Sequence, residues 1–128
     1  MGIVFLQLDE ILEIHQDQIQ RYGGSPGIRD AGVLRSALSI PAASFGGHYF
    51  HKDIFEMAAA YLFHIVQGHA FIDGNKRTGS MAAFVFLRMN GVALTADDDR
   101  LETLVRGVAQ GKIDKPAIAG FFRQHSNS

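Results

Sequence analysis

The chain has 128 residues, 47% of them hydrophobic, and a formal net charge of −1. That length suits one folded domain with a sizeable core, and the near-neutral balance excludes a general basic field for nucleic acid or a polybasic membrane patch. The absence of cysteine excludes disulfides and thiolate-zinc sites. The longest apolar stretch, Met57 to Val66, contains His64 and is too short to span a bilayer. The apolar run after Met1 lacks the basic flank of a secretory signal. The expected setting is the cytoplasm, with no membrane partner and no direct contact with nucleic acid. No repeat or low-complexity linker divides the chain, so one domain is expected over residues 1–128.

From Asp9 to Tyr22, apolar residues at Ile11, Leu12, Ile14 and Ile19 have helical spacing. Gly23 and Gly24 are a plausible C-cap pair, and Ser25-Pro26-Gly27 reads as a turn. A short helix follows from Ala31 to Leu38, stopped before Pro41. Phe45 to Lys52 combines two glycines with alternating aromatics, which reads as a loop or short β-hairpin. Asp53 and Glu56 have capping-box spacing and open a strong helix to about Gln67, ended by Gly68.

The next helix runs from near Asn75 to Asn90-Gly91. It is apolar on nearly every side between Met81 and Leu87, so it is the expected central helix. Asp97 to Gln110 forms another, its Asp97-Asp98-Asp99 run placed where the helix dipole favours negative charge. The last spans Asp114 to Gln124, with Pro116 in its first turn. The pattern predicts an all-α fold of about six helices around a buried central helix, with a short hairpin near residues 45–52.

The most polar short loop, HAFIDGNKRTG from His69 to Gly79, abuts this central helix. A helix N-terminus presents unpaired N–H groups and a positive dipole end, which suits an anion. Gly74 lets the backbone come close to a bound group. Lys76 and Arg77 add cations at an end where the dipole disfavours them, which makes sense if a polyphosphate supplies the negative charge. The Asp73 carboxylate would repel phosphate unless Mg²⁺ lay between them. His69 is placed to accept a proton from an attacking hydroxyl, and Phe71 is most simply an anchor for the loop. These parts together describe a phosphoryl- or nucleotidyl-transfer site.

The loop resembles the Fic/Doc motif, whose general form is His-x-Phe-x-Asp/Glu-Gly-Asn-x-Arg. His69, Phe71, Asp73, Gly74, Asn75 and Arg77 all match. Lys76 matches the death-on-curing (Doc) branch, where typical Fic adenylyltransferases have Gly. Those enzymes also carry a further Arg three residues after the motif Arg, and this chain has Ser80 there. Ala70 stands where many members have Pro. The segments Gln20 to Asp30 and Phe86 to Gly91 are also similar to Doc toxins, so the resemblance spans nearly the whole chain.

The resemblance implies a toxin of a toxin–antitoxin module that uses ATP and Mg²⁺. Doc-type members transfer the γ-phosphate to a protein hydroxyl, and their known target class is translation elongation factor Tu. Carried over, His69 would be the general base and Asp73 the metal ligand. Gly74 and Asn75 would shape the anion hole, and Lys76 and Arg77 would bind phosphates. A lysine in place of glycine fills space and offers charge from another direction, which would select a different phosphate pose. The expected partner is a Phd-type antitoxin whose C-terminal segment folds into an apolar groove. The inhibitory Ser/Thr-x-x-x-Glu-Gly/Asn pattern of many Fic proteins is not found. Thr95 comes closest, but Asp99-Arg100 replaces Glu-Gly. The family's target-positioning hairpin would lie near Phe45 to Lys52.

Taken singly, these residues have plainer roles. His69 could be an ordinary satisfied histidine, Asp73 a helix N-cap, and Lys76 and Arg77 a solvated face. His48 and His51 show no third ligand at zinc spacing. The rival functions are a Fic-type adenylyltransferase, weakened by Lys76 and Ser80, and a non-catalytic antitoxin-binding corepressor.

Overall fold

A computed structural model describes residues 2–127. Six α-helices appear in the expected order: α1 (Leu8–Tyr22), α2 (Ala31–Ser39), α3 (Ile54–Gly68), α4 (Asn75–Met89), α5 (Asp98–Ala109) and α6 (Lys115–Gln124). Four two-residue strands complete the structure: β1 (Ser44–Phe45), β2 (His48–Tyr49), β3 (Ala93–Leu94) and β4 (Ser126–Asn127). The predicted hairpin is β1–β2, antiparallel, with Ser44 opposite Tyr49 and Phe45 opposite His48.

As expected, α2 stops before Pro41, and a 3₁₀ turn at Ile40–Ala42 follows it, with Pro41 near its start where no backbone N–H is required. Two local features depart from the sequence reading. Ser25 to Gly27 is not a hydrogen-bonded turn; the chain there is irregular, bends at Gly27, and Ile28 bridges Phe71. The β3–β4 pair was not predicted, because two-residue strands carry no alternation to read.

The helix most completely enclosed is α3 rather than α4. Met57 to Leu62, Ile65 and Val66 are all buried, and α3 packs against α2, α4, α5 and α6. Its apolar residues cover every side, so it finds burial only in the middle of the bundle. In contrast, α4 lies beside it and keeps Phe84 and Arg88 exposed. Close approach of the two helices depends on Gly79. A Cβ there would lie 2.7 Å from Val66 Cγ2 and 3.2 Å from the Leu62 carbonyl oxygen.

Aspartates set where four helices begin. Asp30, Asp53, Asp97 and Asp114 accept from the backbone N–H of Val33, Glu56, Arg100 and Ala117. Each bond satisfies one of the donors a helix start leaves open. Asp53 and Glu56 do not close a reciprocal box. Glu56 Oε1 instead accepts from Lys52 N at 3.0 Å, one residue further back.

At the base of the hairpin, Lys115 Nζ lies 3.0 Å from His64 Nε2 and 3.5 Å from His51 Nε2. An ammonium only donates, so both imidazoles accept at Nε2 and carry their protons on Nδ1. No group of three or more His, Asp or Glu side chains that could hold a metal ion occurs among the described residues. Burial first, then Lys115 and His51, push the His64 pKa from 6.5 down to about 4.

Two measurements check this packing. Gly79→Val should destabilise the fold by about 1–3 kcal/mol in urea titrations, because overpacking against a backbone carbonyl outweighs the smaller gain in helix propensity. His64 is protonated more readily when unfolded, so its contribution to stability is complete above about pH 6.5 and is lost as pH falls towards about 4. The wild-type urea midpoint should therefore fall more between neutral and mildly acidic pH than that of His64→Gln.

Candidate active site

The loop from His69 to Gly74 joins the two most buried helices, and its residues are held from three directions. Phe71 is fully buried, as its expected anchoring role requires. The Asn75 carboxamide reaches back along the chain. Its Oδ1 accepts from Phe71 N at 2.9 Å, and its Nδ2 donates to the Phe71 carbonyl at 2.9 Å. Asn75 therefore closes the loop with its side chain. Any contribution to an anion cradle falls to its backbone N–H.

The irregular segment after α1 lies along the same loop. Ile72 N donates to the Gly27 carbonyl, and Arg29 N and Asp30 N both donate to the Ala70 carbonyl. The Arg29 guanidinium donates to the Gly68 carbonyl at 2.9 Å and to the His69 carbonyl, neutralising the negative end of α3. His69 sits at that end with φ 49° and ψ 55°, a left-handed conformation uncommon outside glycine. Its side chain is exposed.

Asp73 is also exposed, and it does not cap α4. Its Oδ2 accepts from Ser25 N at 3.2 Å and its Oδ1 from Gly74 N at 2.9 Å. These two bonds are the main cause that lowers its carboxyl below the ordinary 3.8. Gly24 makes the approach feasible, since a Cβ there would stand 2.7 Å from Asp73 Oδ2. An exposed carboxylate held below its ordinary range is a donor type that fits Mg²⁺, which takes one or two carboxylates together with substrate oxygens.

The start of α4 is consequently open. Its N-cap is Gly74, in the left-handed region with φ 76° and no side chain to donate or accept. The first intrahelical bond belongs to Thr78 N, so the N–H groups of Asn75, Lys76 and Arg77 have no helical acceptor. Lys76 is exposed. Arg77 is half-buried; its Nη2 donates to the Gly23 carbonyl at 2.9 Å and its guanidinium lies 5.4 Å from the Tyr22 ring centre. One of the five guanidinium donors is thus spent, and the rest stay available.

All six residues singled out from the sequence line one cleft of about 1020 Å³: His69, Asp73, Gly74, Asn75, Lys76 and Arg77. Its volume matches that of sites for sizeable small molecules. The opposite wall is α5, with Asp98, Glu102 and Arg106. In the sequence Gly24 and Ser25 read only as a cap and a turn, and nothing there placed them or Arg29 at the cleft. Their signal lay in the Gln20 to Asp30 segment, whose similarity to Doc toxins was visible without its purpose.

Comparison with known proteins agrees with the geometry. The model of the Fic/DOC family matches residues 5–87. Protein kinase doc of Escherichia phage P1 is 36% identical over 116 residues, which cover 91% of this chain and 90% of that relative. Toxin Doc of Mycolicibacterium smegmatis is 41% identical over 100 residues, covering 77% of each chain. The chain belongs to the Fic/Doc family. The relatives it matches over most of its length are named as a toxin and as a protein kinase. No helix among the described residues is long and apolar enough to cross a membrane.

Asn75→Ala would leave the Phe71 N–H and C=O unpaired in a buried position. A loss of about 1–3 kcal/mol for each unpaired group is expected. Thermal and urea unfolding of the variant would read it directly.

Proposed function

We propose that this chain is a Doc-type toxin that transfers the γ-phosphate of ATP to a hydroxyl of a protein target. The observation that carries the reading is the uncapped start of α4. Four other helices are closed by an aspartate, while here the adjacent Asp73 is drawn aside to Ser25. Three N–H groups, Lys76 and Arg77 are left facing a cleft, an arrangement suited to a polyphosphate. The names of the two relatives support the same class.

His69 would accept the proton of the target hydroxyl as that oxygen forms a bond to the γ-phosphorus. The bond between the γ-phosphorus and the β–γ bridging oxygen breaks, and ADP leaves. Asp73 would hold Mg²⁺, which screens charge between the phosphate oxygens and the carboxylate. The α4 N–H groups, Lys76 and Arg77 would hold phosphate oxygens. Arg29 would keep the His69 backbone in its left-handed turn. Translation elongation factor Tu is the proposed target, and a Phd-type antitoxin the proposed partner, both from the resemblance of the whole chain to Doc toxins.

Two labels decide the reaction. The protein is incubated with a bacterial translation lysate, Mg²⁺, and ATP labelled at the α- or the γ-phosphate. Label on a protein from the γ position alone is expected, on a band of the size of elongation factor Tu. Label from the α position would mean adenylyl transfer in spite of Lys76. His69→Ala should lower transfer by about 10²–10⁴-fold and abolish growth arrest while antitoxin binding persists. Undiminished growth arrest by this variant would favour the non-catalytic reading.

A further inference from the structure

His15 occupies a position where the helical pattern calls for an apolar residue. It lies on the buried face of α1 with Ile11 and Gln18 and is only 5% exposed. Two contacts account for it, and both fall on the loop. The imidazole stacks on the Phe71 ring with centroids 3.9 Å apart and planes 7° from parallel. Its Nε2 lies 2.9 Å from the Asp73 backbone carbonyl oxygen. A carbonyl only accepts, so Nε2 carries the proton and donates.

We propose that His15 is a positioning residue that sets the direction of the Asp73 carboxylate towards the metal, acting through the backbone on either side of it. The inference rests on the function proposed above. His15 lines a groove behind the loop and not the cleft that holds His69 and Asp73, so it is separated from the reacting groups. Phe71 on one side and the Asp73 carbonyl on the other are fixed by the same imidazole. The peptide planes between them, through Ile72, have little freedom left. Ser25 and Gly74 then orient the carboxylate itself. Partners one step removed from a metal ligand commonly change metal affinity or activity by about 10–100-fold when lost.

The two contacts separate by substitution. His15→Phe keeps a flat ring against Phe71 and removes the donor. His15→Gln loses the ring and keeps an amide donor at similar reach. The expected result is a rise of about tenfold or more in the Mg²⁺ concentration for half-maximal transfer in His15→Phe, with the KM for the protein target unchanged. His15→Gln should recover most of the wild-type Mg²⁺ dependence. A purely structural role would follow stability in both variants and would leave the Mg²⁺ dependence alone.

Two readouts do not require turnover. Amide hydrogen exchange at Gly74 and Asn75 should accelerate in His15→Phe. Binding of Mn²⁺ in the presence of a β,γ-imido analogue of ATP, followed by electron paramagnetic resonance, should weaken by a similar factor. Unchanged exchange together with unchanged Mn²⁺ binding in His15→Phe would overturn the positioning role. Failure of the wild-type protein to bind Mn²⁺ with the analogue would overturn the kinase reading instead, and the proposed metal role of His15 with it. In that case the exchange data would still show whether His15 holds the loop.

Discussion

The site depends on the double hydrogen bond between the Asn75 carboxamide and the Phe71 backbone. A loop between two buried helices must carry several polar backbone groups into a region without water. One side chain satisfies two of these and, by spanning four residues, fixes the curvature of the loop. The Phe71 ring is thereby committed to the core, and the residues around it are turned outward. His69 and Asp73 are exposed because Phe71 is not. The candidate site groups lie on the outer side of a loop whose inner side is an ordinary packing anchor.

Distribution of aspartates follows a related logic. A bundle of short helices gains from closing each N-terminus, and four Asp caps do so here. At α4 the local choice is reversed. The N-cap is a glycine, the nearest carboxylate serves a neighbouring loop, and the first turn carries cations. Each of these disfavours the isolated helix, and the packing of α4 against α3 and α1 compensates. An open, positively charged helix end is maintained by tertiary contacts, so that end stays uncapped without loss of the bundle.

Much of the fold was legible in the sequence. Helical spacing placed all six helices to within a few residues, because glycine, aspartate and proline punctuate nearly every boundary. The hairpin was visible in its glycine pair and alternating aromatics. The ranking of α3 and α4 was not legible. Both read as strongly apolar, and only the packing of four neighbours shows which one is enclosed. The β3–β4 pair joins residues more than thirty positions apart through two-residue strands, so local pattern had nothing to offer.

By itself the sequence determined the chemistry available at the site: one imidazole, one carboxylate, a glycine and two cations, in one loop at the start of one helix. That followed from spacing, since residues so close in the chain cannot be far apart in space. Tertiary structure alone decided how those groups are held. It gave the Asn75 side chain to the Phe71 backbone, drew Asp73 to Ser25, placed Arg29 on the end of α3, and set His15 behind the loop. Except for the Asn75 clip, these contacts join segments roughly forty to sixty residues apart. The hydrogen-bonding capacity of a residue is written in its type, but the choice among partners is made only when the helices pack.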